Sequence, residues 1–528
     1  MRKFAVTTGH LLLLIVAVAL LTFWGVRAYT AWRSPPPQLW HTFVPKELTV
    51  EEMDRSNWTQ YLDREAQLFA DVRSQVSDKL PDEAKTPSNR YYPGARVYPP
   101  SLANDWNRSY VMEPRGPVRG AVVLLHGLTD TPFSLRHVAQ LYAEQGFVAI
   151  GLRIPAHGTV PAALTSVTWE DWMAGTRLAV REAKRRIQPD MPLHLVGFSN
   201  GGALALKYAM DSLEDPALAR ADRLILLSPM IGITRFARFA GLASVPAFFP
   251  PFAKSAWLGI VPEFNPFKYN SFPVNGARQT HRLTTTLQQQ VTRLARLEVF
   301  NELPPILTFQ SVMDYTVSTS AILYALYEHL PQNGSELVLY DVNRASVFGP
   351  LMRSASEVAL SRILPPLPHK YGITVVGNAA PNSTDTVART TVAGGREEQV
   401  EDLHIEYPKD IFSLSHVAVP FPMDDPLYGM RPAPGSDAEY GVNLGTLAAR
   451  GERGALIVQL DSLFRTTSNP FFPYQMQRID GAIRDPKPQH AGLAPRSTVP
   501  EPTPPATYEA DIEKFLNEST EDYDSQPF

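Results

Sequence analysis

Between the apolar run Leu193-His194-Leu195-Val196 and the helix-forming run Ala203-Leu204-Ala205-Leu206-Lys207-Tyr208 the chain reads Gly197-Phe198-Ser199-Asn200-Gly201. A strand that passes directly into a helix forces one residue into a crowded turn, and small neighbours relieve the crowding. Gly197 and Gly201 supply that space, so Ser199 is predicted at the tip of the turn with its hydroxyl presented as a nucleophile. The strand before and the helix after also limit the fold to one in which these two elements alternate.

The rest of the chain carries that alternation. Ser109–Glu113 and Gly120–Leu125 read as strands, the second apolar enough to be buried on both faces. A helix near Leu135–Gln145, a strand at Phe147–Ile150 and a helix near Trp169–Arg186 follow. Leu193–Val196, Leu224–Leu227, Ile306–Phe309 and Leu337–Tyr340 continue the strands, with a helix over Ser320–His329. Ile373–Val376 and Leu403–Tyr407 are strand-like, separated by a polar segment rich in Thr and Gly. The expected class is α/β with a mostly parallel central sheet.

Around this core we expect a stalk and lead-in over residues 34–107 and a first core part over 108–229. A cap rich in Phe and Pro over 230–303 interrupts the rhythm, with Phe236, Phe239, Phe248, Phe249, Phe252, Trp257, Phe264, Phe267 and Phe272 as its aromatics. A second core part over 304–440 contains an insertion at about 342–402, followed by an extension over 441–483. The Pro-rich, then acidic, tail over 484–528 is expected to be disordered.

Residues 1–33 are expected to form a membrane anchor. Phe4–Val26 is apolar with His10 as its one ionisable side chain, and about 20 such residues span a bilayer as a helix. Arg2 and Lys3 favour an N-terminus on the cytoplasmic side, although Arg27 and Arg33 weaken the asymmetry. A cleaved signal peptide is the alternative, against which stand the length of the run and the poor cleavage site Val26-Arg27-Ala28. With a net charge of −4 and no long basic run, nothing favours nucleic acid. The absence of Cys excludes disulfides, a thiol nucleophile and thiolate metal sites. No metal-ligand spacing and no glycine-rich phosphate loop is visible, so no metal or cofactor is expected.

A serine nucleophile needs donors for the charge that develops on a substrate oxygen, a base and an acid. His126-Gly127 ends the strand Gly120–Leu125, so the backbone amides of Leu128 and of Asn200 are the expected oxyanion donors, and His126 itself reads as structural. The acid follows the serine in this order of elements, and the base follows the acid. Asp314, just past Ile306–Phe309, is favoured over Asp341. For the base, His416 in Leu414-Ser415-His416-Val417 is favoured over His369 and His404, while His329 falls in a helix.

Four blocks occur in order: Leu125-His126-Gly127-Leu128-Thr129-Asp130-Thr131-Pro132, Arg153-Ile154-Pro155-Ala156-His157-Gly158, Thr168-Trp169-Glu170-Asp171-Trp172, and the serine turn. With them, residues of about 110–420 resemble the α/β-hydrolase superfamily, in particular its bacterial carboxylesterase and monoacylglycerol lipase-like (serine aminopeptidase-type) branch. The resemblance implies an α/β-hydrolase fold with a cap over the pocket, and ester hydrolysis through an acyl-enzyme. Ser199 would attack, His416 shuttle the proton and Asp314 orient the imidazole. Asp314 and His416 lie much further apart than acid and base in such enzymes, so an insertion must loop out between them.

The expected function is a membrane-anchored serine hydrolase acting on lipid-like or other acyl esters, placed single-pass in a bacterial inner membrane with a periplasmic catalytic domain. A serine aminopeptidase and a catalytically inactive membrane-bound binding module are the alternatives, because the fold does not set the leaving group.

Overall fold

The computed structural model describes residues 35–232, 254–297, 299–348, 359–436, 439–447, 465 and 467–485, together with isolated positions between His10 and Trp32. Twelve strands are present among them. They are β1 (Tyr110–Met112), β2 (Gly120–Leu125), β3 (Phe147–Leu152), β4 (Leu193–Phe198), β5 (Arg223–Leu227), β6 (Trp257–Gly259) and β7 (Phe272–Pro273). Then follow β8 (Ile306–Ser311), β9 (Glu336–Tyr340), β10 (Gly372–Asn378), β11 (Asp385–Thr391) and β12 (Glu398–Glu406).

Ten of these form one sheet in the order β1-β3-β2-β4-β5-β8-β9-β10-β11-β12. The seven strands from β3 to β10 are parallel neighbours, while β1 and the β10-β11-β12 end pair antiparallel. Parallel strands need both faces covered, and β2, β3, β4, β5 and β8 are buried throughout. On one face, Val123, Leu125, Leu195, Leu226 and Leu339 pack with Trp172, Leu204 and Leu287 of the helices Trp169–Arg185, Asn200–Glu214 and Val274–Ala295. On the other, Val122, Val196, Ile225, Phe309 and Val338 pack with Val138, Tyr142 and Ile479 of the helices Arg136–Glu144 and Phe472–Arg484. Burying each such aliphatic side chain contributes about 1.5–3 kcal/mol, against the entropy of ordering it.

Local sequence sets several helix starts. Thr49 with Glu52, Asn57 with Gln60, and Thr168 with Asp171 each form a reciprocal capping box, which satisfies backbone donors that the first helical turn leaves open. The first two boxes begin the helices Val50–Arg55 and Trp58–Gln75 of the lead-in. That lead-in is bonded to the core. Arg153, fully buried, pairs with Glu47 at 2.8 Å and with Glu65 at 2.9 Å. Burial pushes the Glu47 carboxyl up, but the guanidinium and the Ala156 amide pull harder and leave it below its ordinary value.

The expected N-terminal transmembrane helix is not found: among the described residues no helix is long and apolar enough to cross a membrane. The longest ones, Trp58–Gln75 and Val274–Ala295, carry charged side chains along their length, whereas a span needs about 20 consecutive apolar residues. Most of residues 1–34 lie outside the described residues. The expectations of an N-terminal membrane helix and of single-pass placement in an inner membrane with a periplasmic domain are therefore corrected.

Of the region 230–303, Phe236, Phe239, Phe248, Phe249 and Phe252 lie outside the described residues, as does the tail from residue 486. The described part comprises the antiparallel β6-β7 pair and the helix Val274–Ala295, whose Leu283, Leu287, Val291 and Leu294 belong to the main core. Phe267 is also core, stacked on Phe133 with centroids 4.4 Å apart.

Candidate active site

Ser199 follows β4 directly and stands as the N-cap of the helix Asn200–Glu214, at φ 54° and ψ −117°. That backbone is costly for a residue with a Cβ and persists only where neighbours impose it. They do so here: the Ser199 amide donates to Leu227 O at 2.9 Å, and its carbonyl accepts from the amides of Gly202 and Met230, each at 3.0 Å. Glycine is required on both sides. A Cβ at Gly197 would collide with the backbone of Gly201, and one at Gly201 with the carbonyls of Leu125 and His126.

The loop after β2 lies against Ser199, since a Cβ at Gly127 would stand 3.2 Å from Ser199 Cβ. The amides of Leu128 and Asn200 donate to no backbone acceptor among the described residues. Asn200 is fully buried, and neither polar atom of its side chain has a partner among the described residues.

His416 opens a short 3-10 turn, His416–Ala418. Its Nδ1 donates to Asp314 Oδ2 at 2.8 Å, and its ring stacks on Phe198, the residue before Ser199, with centroids 5.3 Å apart. Asp314 Oδ1 accepts from the amides of Thr316 and Val317 at 2.8 and 3.0 Å. Burial pushes the Asp314 carboxyl up, but the imidazole and these amides outweigh it and hold the group below its ordinary value. With Nδ1–H committed to the carboxylate, Nε2 is the ring atom left to accept. The two residues are 102 positions apart. Between them the chain builds β9 to β12 and then returns to β8, where Ser311 Oγ donates to Leu414 O at 2.8 Å.

The rivals lie elsewhere. Asp341 accepts from Arg344 at 3.1 Å and meets no histidine among the described residues. His369 stacks on Tyr371, and His404 sits exposed in β12 beside Asp402. His329 ends a 3-10 turn. His126 is held on both sides, its Nδ1 donating to Gly127 O at 2.8 Å and its Nε2 accepting from the Ile154 amide at 3.1 Å. Burial holds it neutral, well below the usual imidazole range.

Residues 116–260 match the family described as serine aminopeptidase, S33. Over 94 residues the chain is 36% identical to the thermostable monoacylglycerol lipase of Bacillus sp. (strain H-257). The family match over residues 116–260, the lipase match and the order of the sheet together support an α/β-hydrolase fold similar to the lipase/esterase type. That alignment covers 18% of this chain and 36% of the lipase, so the chain spans about a third of the length of this curated relative. Among solved structures, a metagenome-derived lipolytic enzyme aligns with 49% of this chain and 97% of its own, at 21% identity and a TM-score of 0.36. The monoacylglycerol lipase of Paleococcus ferrophilus aligns with 48% and 99%, at 16% identity and a TM-score of 0.33.

Sequence reasoning passed over residues that hold the site's loops. Glu47 and Glu65 reach Arg153 from the lead-in, across 106 and 88 positions, with no local signal to mark them. Thr131 and Tyr269 join the loop after β2 to the chain before β7.

Proposed function

We propose that the hydrolase cleaves carboxylic esters of lipid-like or other acyl groups through a Ser199–His416–Asp314 acyl-enzyme mechanism. The observation that carries this reading is the 2.8 Å bond from His416 to Asp314, on an imidazole stacked against the residue that precedes Ser199. Two residues 102 positions apart have no structural need to meet beside a serine turn.

Ser199 Oγ attacks the ester carbonyl carbon while His416 Nε2 takes its proton. The amides of Leu128 and Asn200 hold the oxyanion of the tetrahedral intermediate. Asp314 keeps Nδ1 protonated and stabilises the imidazolium. As the intermediate collapses, His416 returns the proton to the leaving alcohol and an acyl-Ser199 remains. Water, deprotonated by the same nitrogen, then attacks the acyl carbonyl and frees the acid and the serine.

A second reading, release of an N-terminal amino acid from a peptide, is favoured by the description of the family that residues 116–260 match. The same groups would serve, since the fold and the Ser-His-Asp set do not fix the leaving group. Hydrolysis of p-nitrophenyl esters and of aminoacyl p-nitroanilides by the wild-type chain and its Ser199→Ala variant separates the two. Ester turnover lost in Ser199→Ala, without amide turnover, supports the esterase. Amide turnover alone supports the peptidase, and no turnover of either supports an inactive binding module.

A further inference from the structure

The loop that carries the Leu128 amide is held in part by local bonds, from His126 Nδ1 to Gly127 O at 2.8 Å and from the amides of Gly127 and Thr131 to the Asp130 carboxylate. Thr129 sits at φ 63°, a left-handed backbone that a β-branched residue resists. Within the loop the one backbone bond is long, from the Asp130 amide to Gly127 O at 3.3 Å. Restraints from outside the loop come from Phe267–Tyr269. The Tyr269 amide donates to Thr129 O at 2.8 Å, and Thr131 Oγ1 donates to Phe267 O at 2.8 Å, 136 positions away.

Both partners are shielded from water, with Thr131 fully buried and Tyr269 2% exposed, so neither bond is exchanged cheaply for a bond to solvent. The Phe267 ring fixes the same strip by stacking on Phe133, two residues past Thr131. The Tyr269 hydroxyl reaches further, donating to Ala156 O at 3.2 Å. Ala156 is itself at φ 69°, in the turn that supplies the Ile154 amide to His126. One residue thus joins two strained turns that flank the end of β2.

We propose that Phe267–Tyr269 is a brace that positions the oxyanion loop, with Thr131 and Tyr269 as positioning residues for the Leu128 amide. The inference rests on the ester hydrolysis proposed above and on the Leu128 amide as an oxyanion donor. An oxyanion donor acts where charge develops and not on the bound ester, so loosening the brace lowers kcat and leaves KM in place. Loss of a whole oxyanion donor costs about 10²–10³-fold in kcat, and displacement of one costs less.

The test compares the full-length wild-type chain with Thr131→Val, Thr131→Ser, Tyr269→Phe and Thr176→Val, reading kcat and KM on a p-nitrophenyl ester together with Tm. Thr176 is an equally buried threonine bonded to a helix carbonyl, Trp172 O, at 2.9 Å, and serves as the structural control. The brace predicts a kcat about tenfold lower in Thr131→Val with KM within about twofold, restored in Thr131→Ser, while Thr176→Val loses Tm alone. An unchanged kcat in Thr131→Val, an equal loss in Thr176→Val or failure of Thr131→Ser to restore activity overturns it. If Thr131→Val does not fold, Tyr269→Phe decides, because it keeps the ring and the amide and removes the hydroxyl bonds to Ala156 O and Thr159 Oγ1. A kcat lower by about threefold or more supports the brace, and an unchanged one overturns it. A wild-type chain that hydrolyses no ester overturns the proposed function and the brace with it. A wild-type chain that does so, with Thr131→Val unaffected, overturns the brace alone.

Discussion

Replacing Asp314 by Asn tests the pairing that the proposed mechanism needs most. Asn can keep Oδ1 as acceptor for the amides of Thr316 and Val317, so the loop after β8 is retained. The changed atom faces His416, where an NH2 group replaces the oxygen that accepts from Nδ1 at 2.8 Å. Two donors cannot share that contact, and the ring answers by placing its proton on Nε2. It then presents a donor to Ser199 where the mechanism requires an acceptor. In a comparable Ser-His-Asp set the wrong tautomer costs about 10⁴-fold in kcat, which at 1.36 kcal/mol per decade is about 5 kcal/mol of barrier. Stability is expected to fall as well, because a carboxyl held below its ordinary value in the fold contributes stability at neutral pH that the amide lacks, so the rate is read only on protein shown to be folded. Stopped-flow acylation by p-nitrophenyl acetate, with urea unfolding of the same preparation, reads both quantities. An acylation rate within tenfold of wild type in a folded Asp314→Asn protein would refute the assignment.

Three further outcomes follow from named contacts. Gly201→Ala places a Cβ against the backbone carbonyls of Leu125 and His126, which have no rotamer to escape into, so soluble yield and urea stability should fall by about 3 kcal/mol or more. Arg153→Met leaves Glu47 and Glu65 buried without their cation and is expected to cost about 3–5 kcal/mol in urea unfolding at pH 7; a loss under 1 kcal/mol would contradict the pairing. Asp425 is buried against Arg136 and His137; burial pushes its carboxyl up, but the guanidinium and the imidazole outweigh this and lower it to about 2. A carboxyl with a depressed folded value stabilises above its unfolded value and loses that contribution as pH falls through the folded one. Wild-type stability should therefore drop by about 2 kcal/mol more than that of Asp425→Asn between pH 5 and pH 2, measured by urea titration at each pH.

The sheet was legible because parallel strands buried on both faces leave continuous apolar runs, as β2, β3 and β4 do. The serine turn was legible because steric crowding demands glycine at fixed spacing. Other elements left weaker marks. The strand β11 is polar along one face and reads as a linker in sequence, yet it pairs on both sides near the end of the sheet. The helix Phe472–Arg484 covers the face opposite Trp172 through Tyr474, Ile479, Ala482 and Ile483, between charged residues that break up any continuous apolar run. The brace was not legible at all, because it runs through backbone carbonyls, which every residue carries alike. The apolar run Phe4–Val26 shows the reverse, a clear compositional signal for a bilayer span without a matching helix among the described residues.

The central claim is that Ser199 is the nucleophile. Incubation of the wild-type chain with a fluorophosphonate ester, followed by digestion and mass spectrometry, reads it directly. The account predicts one adduct per chain, on Ser199, and its suppression in Asp314→Asn. A wild-type chain that takes no label, or takes it on another residue, would contradict it.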